Sequence, residues 1–83
     1  MIVEPDYRGF RIEVNAIAVD GRFNAEVRLL RLFSRDKPRA ETVTCLKLGA
    51  EHAERAGYIW ARRWVDVQLN DGPESADSTA NAD

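Results

Sequence analysis

The stretch Ile12-Glu13-Val14-Asn15-Ala16-Ile17-Ala18-Val19-Asp20-Gly21-Arg22-Phe23-Asn24-Ala25-Glu26-Val27-Arg28-Leu29 decides the fold. Asp-Gly favours a two-residue type I′ turn, whose two central positions both need positive φ. With Asp20 and Gly21 as the loop, positions whose numbers sum to 41 face each other across an antiparallel pair. One face then pairs Ala18 with Phe23, Ala16 with Ala25, Val14 with Val27 and Ile12 with Leu29, all apolar. The other pairs Asn15 with Glu26 and Glu13 with Arg28, which is polar and holds an opposite-charge pair. A slip of one residue would put every one of these side chains on the wrong face, so the register is strongly specified.

Outward from this hairpin, strand one is expected over residues 7–19, with Phe10 joining Ile12 and Val14 on the core face. Residues 1–6 read as a flexible N-terminus. Strand two is expected over residues 22–33, where Leu30 and Leu32 break the pattern; either a bulge near residues 29–31 shifts the phase or the outer face carries an apolar patch. Ser34-Arg35-Asp36-Lys37-Pro38 reads as a loop. Strand three follows over residues 39–48, apolar on both sides through Val43 and Cys45 on one and Leu46 and Leu48 on the other. The short loop favours meander order.

From Ala50 to Gln68 the period changes to helical. Ala53, Ala56, Gly57, Trp60, Trp64 and Val67 fall on one stripe, and Gly57, which costs a helix about 1 kcal/mol against alanine, implies a close approach to the sheet. Tyr58, Arg62, Val65 and Leu69 form a second stripe, either scattered exposed residues or a helix-mediated dimer contact. The expected fold is α+β: a three-stranded antiparallel meander packed on one C-terminal helix, in a single domain over residues 7–69. Its expected core is Phe10, Ile12, Val14, Phe23, Val27, Leu29, Trp60 and Trp64. Residues 70–83 hold acids, alanine, small polar residues and the helix-stopping Gly72-Pro73, and read as a disordered acidic tail.

At 83 residues the chain is expected to be one domain or less. A chain this short buries only about 60% of its unfolded surface, which raises the expectation of a core shared with a partner. No apolar run approaches the roughly 18 residues of a membrane span, and the acidic start does not resemble a secretory signal, so a cytoplasmic location is expected. All twelve basic residues lie between Arg8 and Arg63, so a mildly basic fold carries acidic flanks that bring the whole chain to a net charge of −2. The tail either keeps the domain soluble or covers a basic surface.

One histidine, one cysteine and three dispersed serines make a thin catalytic inventory. His52 reads as an exposed residue near the helix start and Cys45 as a structural thiol; neither has metal-ligand spacing around it, and the glycines stand singly rather than in a phosphate loop. No enzyme, cofactor, metal or small-molecule substrate is indicated. The expectation is a non-enzymatic binding or regulatory module acting through a protein partner or homodimer, with nucleic-acid binding through Arg8, Arg11, Arg22 and Arg28 as the alternative.

Tyr7-Arg8-Gly9, Gly21-Arg22-Phe23-Asn24-Ala25-Glu26-Val27-Arg28, Leu48-Gly49 and the alanine-rich helix resemble the plant ethylene-response-factor DNA-binding domain, of three strands and one helix. That resemblance implies DNA contacts by Arg8, Arg11, Arg22 and Arg28, although this chain lacks a tryptophan pair in the sheet and has a longer first hairpin. Tyr7-Arg8-Gly9-Phe10-Arg11-Ile12 and Trp60-Ala61-Arg62-Arg63-Trp64-Val65-Asp66 are similar to small uncharacterised proteobacterial proteins, a resemblance that implies no established activity.

Overall fold

The computed structural model describes residues 1–69, so the reading of residues 70–83 as a disordered tail lies outside the described residues. Four strands, β1 (Ile2–Tyr7), β2 (Phe10–Val19), β3 (Arg22–Arg31) and β4 (Arg39–Lys47), form one antiparallel sheet in sequence order, followed by α1 (Ala50–Gln68). The hairpin register is the one the Asp20-Gly21 turn dictates, with pairing unbroken from Val19↔Arg22 to Phe10↔Arg31. Asp20 and Gly21 both take positive φ, 48° and 78°.

The expected three strands are four. Residues 1–6, read as flexible, belong largely to β1, and the long first strand divides at a second two-residue turn where Arg8 (φ 55°) and Gly9 (φ 91°) both lie in the left-handed region. Asp6 Oδ1 fastens this turn by accepting the Gly9 N–H at 2.8 Å. Pro5 disguised the strand. A proline is tolerated on an edge strand, and the β1–β2 register shifts between Glu4 and Tyr7, where Pro5 sits.

Strand β3 carries no bulge toward β2; of the two readings of Leu30, the apolar outer face is the one realised. Leu32 lies just past the strand, its N–H donating to the Gly9 carbonyl at 2.8 Å. Strand β4 is the far edge of the meander and turns Val43 and Cys45 inward, leaving Leu46 and Leu48 45% and 73% exposed. Leu46 adopts φ 47° in an irregularity opposite Asn24. The buried Asn24 holds that irregularity, its Oδ1 accepting the N–H groups of Cys45 and Leu46, each at 3.1 Å. The Cys45 thiol, half-buried, donates to the Phe23 carbonyl at 3.6 Å.

Helix α1 crosses one face of the sheet, mainly over β2 and β3. Its buried residues are Ala53, Gly57, Ala61 and Val65, a run of every fourth residue. Ala61 and Val65 join Phe10, Ile12, Val14, Ala25, Val27 and Leu29 in the core, and Gly57 lies against Val14, Ala25 and Val27. This rotates the expected stripe. Val65, assigned from sequence to an outward contact face, is fully buried, whereas Val67 is 41% exposed. Trp60 and Trp64 are half-buried at the margin of the core rather than at its centre, and Phe23 is half-buried outside the central cluster. The reason is the close approach. A Cβ on Gly57 would stand 2.5 Å from Ala25 Cβ and 2.8 Å from Val14 Cγ1, so the seat beneath the helix takes small side chains and sends large ones sideways. Trp64 meets Phe10 edge-on at 5.9 Å, with the Arg39 guanidinium 5.4 Å from its ring centroid.

Candidate functional site

Three surfaces gather chemistry-bearing side chains. The first is the seam between β1 and α1. Tyr58, Arg62 and Asp66, four apart, turn one line of the helix toward β1, where Glu4, Tyr7 and Arg8 meet them. The Arg62 guanidinium carbon lies 4.8 Å from the Tyr7 ring centroid and 5.7 Å from that of Tyr58, a cation held between two aromatic faces. Tyr58 donates to Glu4 Oε1 at 3.0 Å, and Tyr7 Oη and Arg8 Nη1 each donate to Asp66 Oδ1 at 2.9 Å. Burial, and then the accepting Glu4 carboxylate, hold the Tyr58 hydroxyl above its ordinary pKa. Of the four residues expected to form an outward contact face, only Arg62 is exposed, and it too is engaged with β1. Tyr58 and Arg62 clamp β1 to the helix, Leu69 packs half-buried against the core, and Val65 lies within it.

This clamp gives the domain an acid limit. The Arg8 hydrogen bond first, and then that of Tyr7, lower the Asp66 pKa below the ordinary carboxylate value. A carboxylate depressed in the folded state contributes stability that is present above its unfolded pKa and lost as pH falls through the folded one. Stability measured by urea unfolding is expected to decline as pH falls below about 4, the unfolded aspartate value. Asp66→Asn is expected to flatten that decline; an unchanged profile would remove Asp66 from the acid transition.

The second surface is the sheet face opposite α1. By strand alternation it carries Arg11, Glu13, Asn15, Ile17 and Val19 from β2 and Arg22, Asn24, Glu26, Arg28 and Leu30 from β3, with Val3 of β1 opposite Glu13. Ile17, Val19 and Leu30 are half-buried although no helix or second sheet covers this face among the described residues. Arg11 Nε donates to Glu13 Oε2 at 2.9 Å, and Arg28 faces Glu13 across the strands. With Leu30 and Pro38 these three line a small cleft of about 90 Å³.

The structure divides the four arginines expected to contact nucleic acid. Arg11 and Arg28 share the uncovered face. Arg22 stands beside the turn at the end of that face and donates to the Leu46 carbonyl at 3.2 Å, and Arg8 is paired with Asp66 on the helix side. The periodicity of β2 and β3 places the first two. Only the unexpected turn at residues 8–9 explains Arg8.

The third surface, overlooked in the sequence, lies along the outward side of α1. Lys47, His52, Arg55, Ala56 and Ile59 line a cleft of about 300 Å³. Ile59, Arg62, Arg63 and Asp66 line another of about 220 Å³. The signal for it was present in His52, Arg55, Ile59 and Arg63, which recur at helical spacing. Among the described residues no cluster of three or more His, Cys, Asp or Glu side chains could hold a metal ion, and no helix is long and apolar enough to cross a membrane. No protein-family model, curated protein or solved structure matches the chain.

Proposed function

We propose that the protein is a non-enzymatic binding module that acts through protein contact, and that self-association across the uncovered sheet face is the form this contact takes. The observation that carries the reading is that Ile17, Val19 and Leu30 lie on a sheet face that no helix or second sheet covers among the described residues, amid three arginines and two glutamates. A two-fold pairing brings a patch against itself, so a patch that carries both signs can match its own copy, cation to carboxylate. Covering the face would also extend a core that one helix supplies from one side only.

A second reading, nucleic-acid binding, draws support from Arg11 and Arg28 standing on the same face, although Glu13 accepts from the first and faces the second. One set of measurements separates the two. Sedimentation equilibrium of the full chain is expected to show a dimer with Kd on the order of 10–100 μM, and Ile17→Glu with Leu30→Glu is expected to weaken it by about tenfold or more. A chain monomeric to about 1 mM would overturn self-association. Duplex-DNA binding that falls steeply with salt and is lost in Arg11→Ala with Arg28→Ala would establish the second reading in its place.

A further inference from the structure

We propose that the outward side of α1, with the end of β4, docks an acidic protein segment that also carries apolar side chains. The two clefts on this side share Ile59, so they form one strip that runs along the helix. The lining of the first contains Lys47, His52 and Arg55 and no acid. That of the second adds Arg62 and Arg63 and a single acid, Asp66, which already accepts Tyr7 and Arg8. Lys47, Arg55 and Arg63 have no carboxylate at ion-pair distance among the described residues.

The apolar part of the strip sets the class of partner. Ile59 is 48% exposed at the centre of the strip, with Ala56 beside it. An exposed apolar centre rimmed by like charges is poorly suited to plain solvation and well suited to a ligand with an apolar surface and the opposite charge. Glutamates or aspartates alternating with leucines on an extended or helical peptide meet both requirements. Nucleic acid meets only the second, because it offers Ile59 a charged backbone or a base edge. This strip is separate from the uncovered sheet face, so its docking does not depend on self-association.

The test uses the full chain and a fluorescein-labelled peptide of alternating Glu and Leu, with the same peptide carrying Gln for Glu as its control. Fluorescence anisotropy at low salt is expected to show binding of the acidic peptide and none of the glutamine peptide. Lys47→Glu with Arg55→Glu is expected to weaken it by about tenfold or more, and Ile59→Ser by about threefold, with helix content unchanged by circular dichroism. Any of three results overturns the proposal: no binding up to about 1 mM peptide, binding indifferent to the charge-reversed pair, or a preference for duplex DNA over the peptide.

Discussion

Replacing Gly57 with alanine is expected to destabilise the domain by about 2 kcal/mol, the reverse of what the same change does on an exposed helix surface. There, alanine gains about 1 kcal/mol over glycine by restricting the unfolded chain and favouring the helix. Here the new methyl would stand 2.5 Å from Ala25 Cβ, 2.8 Å from Val14 Cγ1 and 3.4 Å from Val27 Cγ2. The first two distances are too short for carbon atoms, and the atoms they involve belong to the middle strands. The helix must lift, which loosens Ala53 and Ala61 as well, because both are fully buried in the same seam. Overpacking of this kind costs typically 1–3 kcal/mol and here exceeds the propensity gain. Ala25→Gly removes the closest contact, so a double-mutant cycle of Gly57→Ala with Ala25→Gly is expected to show favourable coupling of about 1 kcal/mol. Urea unfolding of the four proteins measures it, and a stabilised Gly57→Ala single variant would contradict the close approach.

Val65→Glu is expected to unfold the domain. Its side chain is fully buried, in one cluster with Phe10, Ile12 and Leu29. A carboxylate there has to ionise without a partner, take up a proton, or pull the last turns of the helix off the sheet. Each route costs several kcal/mol, about 4 or more, against a total stability of about 5–15 kcal/mol for a whole domain and less for a small one. Val65→Ala, which removes methyl groups and adds no charge, is expected to lose about 2 kcal/mol and stay folded. Circular dichroism distinguishes this from an interface effect. A surface residue changed to glutamate would leave the spectrum intact and alter only association, whereas Val65→Glu is expected to abolish the folded signal at every concentration.

The distance between those two outcomes shows where the sequence was legible. The β2–β3 hairpin could be read residue by residue because one local signal, Asp20-Gly21, set the register and two separate faces agreed with it. The helix bounds were equally readable, since the period changes where the strand pattern ends and residues 50–68 follow it throughout. What could not be read was the rotation of the helix about its axis. Hydrophobicity alone favours a stripe centred on the tryptophans, yet the closest part of the contact is chosen by size, and Ala61 says little by composition. Strand β1 was lost for a related reason. Glu4-Pro5-Asp6 has the composition of a tail, and only pairing with β2, together with the clamp of Tyr58 and Asp66 on Glu4, Tyr7 and Arg8, makes it a strand.

For the sites, parity along a strand placed Arg11 and Arg28 on the uncovered face, and the same rule gives Ile17, Val19 and Leu30 as their neighbours. Tyr58 and Arg62 stood out in the sequence as a stripe that should have been polar. The edge strand they cover accounts for it.

The most direct test of the sheet face as the contact surface is the change of backbone amide chemical shifts with concentration, followed by NMR from about 10 μM to about 1 mM, a range that brackets the expected Kd. Shifts are expected at Arg11, Glu13, Asn15, Ile17, Arg28 and Leu30, with Ala53, Gly57 and Ala61 unmoved. Spectra that superimpose across the range, or shifts confined to α1, would contradict it.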